Sequence, residues 1–371
     1  MKKSRPVSPV FLIALLFIPF TLFSQVKSDE EIRSVFLHNS MFSGDKKEAK
    51  IMLEDLLDKY KTIGINNIAC YYDLSDKQRD FDFLGMMLET AHKRNIKVHP
   101  IFLPGYRVNM EGKIEEHRAQ DRDLPWFTTG ELEEDIREHP EWLIRGKKGE
   151  IYPNLNLANP EARNHILRKI SGILQKYDVD GIRLDYVRFQ VNQGFSYDKA
   201  TCEAFKSEYG KSPLEINQDA GSIIWCKWIE WNAEQVTTLV KDVKALIVKS
   251  GKNIPLSVDV FPGRESAKIE IAQDWGRWAR EGIVDVICPM IYTNNLEVFR
   301  ETVIDAVATA NGQCLVCPSI GVKTSHNKNT PEGLVQSVRI MREEGVDGIY
   351  FFSGYALSDE FMDELKATVF K

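Results

Sequence analysis

Eight short apolar runs, each followed by a stretch of helical periodicity, restrict this chain to a fold built from repeated βα units. The runs are Val35–Ser40, Asn67–Asp73, Lys97–Leu103, Gly181–Phe189, Pro255–Phe261, Val284–Tyr292, Cys314–Gly321 and Gly348–Ser353. The helical stretches include Lys46–Tyr60, Phe81–Arg94, Pro160–Lys176, Ile223–Lys249, Ala267–Glu281, Glu297–Ala310, Pro331–Glu344 and Asp359–Val369. Eight such units is the number that closes a parallel sheet into an α/β (β/α)8 barrel, with a doubly wound open sheet as the alternative. Three helix-to-strand junctions repeat one pattern: Val179-Asp180-Gly181-Ile182, Val284-Asp285-Val286-Ile287 and Val346-Asp347-Gly348-Ile349. Aspartates at strand starts lie on the face opposite a barrel's active site, so their expected role is turn hydrogen bonding.

Two connections are long, at about 104–159 and 190–222. Both follow strand ends, so both belong to the face where barrels place their chemistry. Residues 30–371 then form one barrel domain carrying these two insertions. Before it, Lys2, Lys3 and Arg5 precede an apolar run from Val10 to Phe23 that contains Pro19 and ends at Ser24. That pattern reads as a cleavable signal peptide over residues 1–24 and is too short for a membrane span. Export to the periplasm or the extracellular space is expected, with no stable membrane span after cleavage. The formal charge is −6 and becomes more negative without the three basic residues of the leader. So acidic a chain is a poor polyanion binder, and nucleic acid is not an expected partner.

Six cysteines stand at 70, 202, 226, 288, 314 and 317. Cys314 and Cys317 form a CxxC inside a strand-like run, where positions three apart point to opposite faces, so a structural role is expected. Cys202 and Cys226 share one polar region and could pair. Histidines are few and scattered, and no metal-binding or nucleotide-binding motif is present, so neither metal nor cofactor is expected.

The fourth run carries the sharpest chemical signal. In Gly181-Ile-Arg-Leu-Asp-Tyr186, residues Ile182, Leu184 and Tyr186 share one face, and Arg183 and Asp185 share the other. The helix-facing side of a barrel strand is apolar, so the charged pair is expected inside. An arginine beside Asp185 would keep that carboxylate ionised, as a nucleophile or a stabiliser of positive charge. In the fifth run Asp259 faces inward by the same alternation and offers a second carboxyl, as acid/base, as a ligand for a sugar hydroxyl or as support for Arg183. His38, Asp73 and Tyr292 end other strands and are candidates at the mouth. His99 lies inside a strand and reads as a core histidine. The first long connection holds Trp126, Phe127, Trp142, Tyr152, Asn154 and Asn156, residue types that stack on sugar faces and bind hydroxyls, or that simply pack the loop. Trp225, Trp228 and Trp231 recur at helical spacing and read as packing.

These residues carry a resemblance. Leu155-Asn-Leu-Ala-Asn-Pro-Glu-Ala-Arg163, Tyr177-Asp-Val-Asp-Gly-Ile-Arg-Leu-Asp-Tyr-Val-Arg-Phe189, Asp259-Val-Phe-Pro262, Asp274-Trp275 and Val284-Asp-Val-Ile-Cys-Pro-Met-Ile-Tyr292 resemble glycosyl-hydrolase-like family ten, within the TIM-barrel glycosidase superfamily. The resemblance runs from about Ile32 to the end of the chain. It implies hydrolysis of O-glycosidic bonds in a polysaccharide, with bacterial cell-wall or amino-sugar glycans as the implied substrates. Arg183-Leu184-Asp185 is also similar to the strand 4 motif of the α-amylase superfamily, where the matching aspartate is the nucleophile and the arginine supports it. Those relatives place a glutamate acid/base on strand 5, where this chain has Asp259. The chitinase-like acidic pattern is broken by Arg183 and Val187, and the run Cys314–Gly321 lacks the glutamate of clan-A glycosidases.

The expected site therefore has Asp185 and Asp259 as catalytic groups. Arg183, Tyr186, Arg188, Asn156, Tyr292, His38, Asp73, Trp126 and Trp142 are expected to bind substrate. A non-catalytic glycan-binding barrel is the alternative. A polysaccharide deacetylase would need a metal cluster that the sequence does not display.

Overall fold

The structure, a computed structural model, describes residues 30–42, 44–71, 80–105, 134–191 and 194–370. Asp73, Trp126 and the leader, residues 1–24, lie outside the described residues. No helix among the described residues is long and apolar enough to cross a membrane.

The strands in chain order are β1 (Ile32–Leu37), β2 (Asn67–Tyr71), β3 (Lys97–Phe102), β4 (Leu143–Arg145), β5 (Ile151–Leu155), β6 (Ile182–Leu184), β7 (Leu256–Val260), β8 (Val286–Ile291), β9 (Leu315–Val316), β10 (Ser319–Gly321) and β11 (Gly348–Phe352). The α-helices are α1 (Lys46–Thr62), α2 (Phe83–His92), α3 (Glu134–Glu138), α4 (Pro160–Lys176), α5 (Lys199–Tyr209), α6 (Ile223–Lys249), α7 (Arg264–Ile271), α8 (Trp275–Arg280), α9 (Leu296–Ala310), α10 (Pro331–Glu343) and α11 (Asp359–Thr368).

The strands β1, β2, β3, β6, β7 and β8 pair in parallel succession, β8 continues to both β9 and β10, and β10 returns through β11 to β1. The sheet is closed, so the fold is the (β/α)8 barrel and the open-sheet alternative is excluded. The seventh run is divided at Cys317-Pro318 into β9 and β10. The hairpin β4–β5 belongs to the first long connection, and α5 belongs to the second.

Local chemistry explains the helix starts. Asp45 and Glu48 form a capping box ahead of α1, and Asn159 caps α4 just before Pro160. The single helix expected over Ala267–Glu281 is two helices, because Ala272 takes a left-handed φ of 57° between α7 and α8.

Apolar side chains sort into layers. The largest cluster lies between strands and helices and includes Trp228, Trp275 and Trp278. Inside the barrel, a lower cluster gathers Val286, Cys288 and Cys317, and an upper one gathers Phe36, Ala69, Ile101, Leu103 and Tyr350. Cys314 belongs to the outer layer and Cys317 to the inner one, as strand alternation requires. All six cysteines are free thiols: Cys202 is buried on α5 and Cys226 exposed on α6, so the suggested pairing is not made. Trp228 stacks on Trp231 at 5.4 Å within α6, in keeping with packing.

The bottom of the barrel is held by a repeated clasp. Asp180 donates its N–H to the Val98 carbonyl at 3.1 Å and accepts the Val98 N–H on its carboxylate at 2.8 Å. Asp285 does the same with Leu256, and Asp347 with Val316. Asn66 clasps Arg33 in the same way. Arg342 closes the ring, donating to both oxygens of Glu31 ahead of β1 and to the Val369 carbonyl after α11.

Candidate active site

Asp185 stands immediately after β6, at the C-terminal mouth of the barrel, and is 8 % exposed. The strand ends there rather than at Phe189, because Tyr186 takes a left-handed φ of 53°. Such a conformation is uncommon for a residue with a side chain. It bends the chain so that the Tyr186 N–H meets Asp185 Oδ1 at 2.7 Å. The Tyr186 carbonyl accepts from Gly105 N–H at 3.0 Å. A Cβ at position 105 would lie 2.3 Å from the Arg188 carbonyl oxygen, so this close approach of chain to chain needs glycine. From β2, the Tyr71 hydroxyl donates to Asp185 Oδ2 at 3.2 Å.

Arg183 does not hold Asp185. Its Nε donates to Asp259 Oδ2 at 2.9 Å, and its Nη2 donates to Asp259 Oδ1. The guanidinium also lies over the Tyr350 ring, 3.7 Å from its centroid. Register explains this choice. Leu184 pairs with Val258, so Asp185 comes level with Asp259, and Arg183 reaches across the barrel interior instead of along its own strand. Residues two apart on a strand are separated by roughly 6.6 Å, whereas neighbouring strands are about 4.8 Å apart. Both Asp259 oxygens therefore serve an internal ion pair, contrary to the expected acid/base role. The Asp259 carbonyl accepts from Gln273 Nε2, and Gln273 Oε1 accepts from the Phe261 N–H. Gln273 sits in the break between α7 and α8, so that interruption steadies the end of β7.

The proton affinity of Asp185 is higher than an adjacent arginine would make it. Burial first, and the Asp259 charge second, push its carboxyl up to about 6, against the opposing pull of Arg188, the Tyr186 N–H and the Tyr71 hydroxyl. A carboxyl that exchanges its proton near neutrality suits general acid/base work better than permanent ionisation.

Aromatic rings line the mouth. Tyr71 meets Phe36 edge-on at 4.8 Å, Phe36 stacks on Phe352 at 5.0 Å, and Phe352 stacks on Tyr292 at 5.3 Å. Tyr292 is half-buried, with its hydroxyl 3.4 Å from Ser319 Oγ. His38 packs its ring against Tyr71 at 5.7 Å, and burial pushes its imidazole below the usual range, which favours the neutral form. Tyr71, Phe36 and Phe352 were not among the residues singled out in the sequence. Their signal was available: each occupies an inward position near a strand end. Arg188 is buried between the rings of Tyr186 and Phe261, at 4.1 and 4.6 Å.

Two expected substrate contacts belong elsewhere. Asn156 is fully buried, donating to Asp198 and Thr201 while its Oδ1 accepts from the Ala158 N–H, so its amide ties the two insertions together. Trp142 is 5 % exposed, stacked on His139 at 4.2 Å and against His165 at 5.2 Å, which leaves no face for a sugar. His99 is half-buried on β3, its Nε2 has no hydrogen-bond partner, and burial pushes its pKa down to about 4.

The description glycosyl hydrolase-like 10 matches residues 67–329, which span β2 through the loop after β10. The chain belongs to the glycosyl hydrolase-like 10 family. Within this family setting it is 25 % identical over 331 residues to the glycosyl hydrolase YngK of Bacillus subtilis, covering 76 % of this chain and 59 % of that protein. It is 24 % identical over 227 residues to the glycosyl hydrolase DigH of Escherichia coli, covering 57 % of this chain and 46 % of that one. The chain thus spans about half the length of the curated relatives it matches. Among solved structures, the PgaB (BpsB) glycoside hydrolase domain from Bordetella bronchiseptica superposes with a TM-score of 0.63 at 11 % identity, over 91 % of this chain and 98 % of that one. The catalytic domain of β-amylase from Paenibacillus polymyxa gives 0.58 at 12 % identity, over 93 % and 99 %. At these identities the superpositions speak for the barrel fold, and the family match makes this glycosyl hydrolase-like 10 chain glycoside hydrolase-like.

Proposed function

We propose that this chain is an exported glycoside hydrolase that cleaves O-glycosidic bonds of a polysaccharide, with a bacterial cell-wall or amino-sugar glycan as its substrate. The observation that carries this reading is Asp185. It is a buried carboxyl at the barrel mouth, held by the Tyr71 hydroxyl and raised to about 6 beside a fixed Arg183–Asp259 pair. Its protonated form donates to the glycosidic oxygen as the bond to C1 breaks, and the carboxylate left behind recovers a proton from the water that adds to C1. The Asp259 charge sustains the proton affinity of Asp185, and Arg183 keeps that charge in place. Tyr71, Phe36, Phe352 and Tyr292 supply aromatic surface for the apolar faces of sugar rings. The leader expected at residues 1–24 supports a periplasmic or extracellular location.

The binding-only reading draws on one feature: both oxygens of Asp259 are engaged by Arg183. Turnover separates the two. Purified protein is assayed against denuded peptidoglycan and common polysaccharides, and Asp185→Asn is expected to lose at least ~100-fold of cleavage while retaining glycan binding. Cleavage that survives D185N would remove Asp185 from the mechanism.

A further inference from the structure

The ladder between β6 and β7 stops one step short beside Asp185. In a parallel pair, every second residue of a strand bonds to the same neighbour. Ile182 N–H donates to the Pro255 carbonyl at 3.0 Å, and the register then sets Arg183 opposite Ser257 and Leu184 opposite Val258. The backbone groups that β7 turns toward β6 are therefore those of Pro255, Ser257, Asp259 and, just past the strand, Phe261. The next peptide due from β6 is that of Tyr186, with its N–H on the Asp259 carbonyl and its carbonyl on the Phe261 N–H. Tyr186 makes neither bond. Its left-handed φ turns the N–H to Asp185 Oδ1 at 2.7 Å, and its carbonyl accepts from the N–H groups of Gly105 and Arg188 at 3.0 and 2.8 Å.

Gln273 makes both bonds instead. Its Nε2 donates to the Asp259 carbonyl at 3.2 Å, and its Oε1 accepts the Phe261 N–H at 2.8 Å. A side-chain amide carries the donor and the acceptor of a peptide group. Gln273 is fully buried, and the nearby Ile271 carbonyl accepts the Phe189 N–H at 2.9 Å. The break between α7 and α8 thus holds the segment after β6 as well as the end of β7. Without the Gln273 amide, two backbone groups of β7 would lack partners, and the partner that the register supplies is the Tyr186 peptide. We propose that Gln273 is a positioning residue for Asp185: its amide stands in for the Tyr186 peptide in the β6–β7 ladder and so frees the Tyr186 N–H to hold the carboxyl. Its effect on turnover rests on the hydrolase reading given above, whereas the hydrogen bond does not.

Gln273→Met keeps the length of the side chain but loses the donor and the strong acceptor. Asp185 is faced by Asp259 on β7, Arg188 beyond β6, Tyr71 on β2 and Tyr292 beyond β8, and the substitution alters none of these side chains. In the full chain, nuclear magnetic resonance follows the Asp185 carboxyl and the Tyr186 amide from about pH 4 to about pH 8, with D185N assigning the signals. The wild-type Tyr186 amide should titrate together with Asp185. Q273M should uncouple the two and raise the Asp185 pKa by about one unit, the scale of a hydrogen bond to a carboxylate. Mere loosening would wet the carboxyl and move its pKa the other way, toward the ordinary value. On denuded peptidoglycan, or the polysaccharide of the turnover screen that the wild type cleaves, kcat should fall about tenfold or more while KM stays within about threefold. Gln273→Asn, an amide one methylene too short to bridge both groups, should act in the same direction. If both variants melt early, the wild type still decides: the Phe261 amide should exchange as slowly as those of the β6–β7 ladder, and exchange at loop rates would overturn the proposal. So would a Tyr186 amide that still follows Asp185 in Q273M, an Asp185 pKa that falls, or an unchanged kcat. A wild type that cleaves none of the polysaccharides would instead defeat the hydrolase reading and leave the Tyr186–Asp185 result standing.

Discussion

Burial and the neighbouring Asp259 charge hold the Asp185 carboxyl at about 6, against an ordinary value of 3.8. Between those two pH values the folded chain binds more protons than the unfolded chain. Stability therefore falls as pH rises from about 4 to about 6 and stays lower above that window. Replacing Asp185 by Asn removes the charged form, so D185N should be more stable than the wild type at pH 7.5, by roughly 1–3 kcal/mol, and equal to it near pH 4. Thermal melts at the two pH values check this, and a lower melting temperature for D185N at pH 7.5 would count against a raised proton affinity. Activity carries the matching signature. A general acid works protonated, so kcat/KM should hold level below about pH 6 and decline tenfold per unit above it. A rate profile that is flat through pH 8 would return Asp185 to the ionised role expected from its sequence. Alternation along the strand was enough to place Arg183, Asp185 and Asp259 on the inner face. It could not say which pairs with which, because that depends on the stagger between β6 and β7, a property of two strands together.

The βα elements were legible because apolar runs and helical periods alternate without ambiguity. Where an expected element broke, one backbone feature was responsible. Tyr186 ended β6 early with a positive φ, and Ala272 split a helix in the same way. Neither can be recognised in a single sequence, since tyrosine and alanine rarely adopt left-handed φ. The junction aspartates show the converse. Asp180, Asp285 and Asp347 were legible as turn residues, but the fourth clasp escaped notice because Asn66 makes it with an amide oxygen, 2.8 Å from the Arg33 nitrogen. Asn66→Ala should remove one clasp at the bottom of the barrel, lowering stability by about 1–3 kcal/mol while kcat is unchanged. Urea denaturation beside a turnover assay tests this, and a fall in kcat would show that the lower face is coupled to the mouth.

On the scale of the molecule, closure depends on the first and last segments meeting. Glu31 receives Arg342 on both oxygens, at 2.7 and 2.8 Å, and Arg33 on one. The same Arg342 donates to the Val369 carbonyl at 2.7 Å. Burial opposes ionisation of Glu31, but hydrogen bonds from Arg342 and Arg33 outweigh it and lower its pKa. This stabilisation is present above the ordinary carboxylate pKa and is lost as pH falls through the lowered one. Arg342→Ala should cost about 1–3 kcal/mol at pH 7 and much less in acid. Hydrogen exchange should show the loss first in β1 and α11, and uniform loosening of all strands would mean that Arg342 is not the local seam. A cylinder closed by the β1–β11 ladder and clasped by Arg342 has its loose threads side by side. Glu31 and Val369 lie within reach of the same side chain, so a short peptide could splice them and new ends could be cut in the exposed turn at Gly251, far along the chain. Reading order, for such a hoop, is a matter of where the ribosome happened to begin.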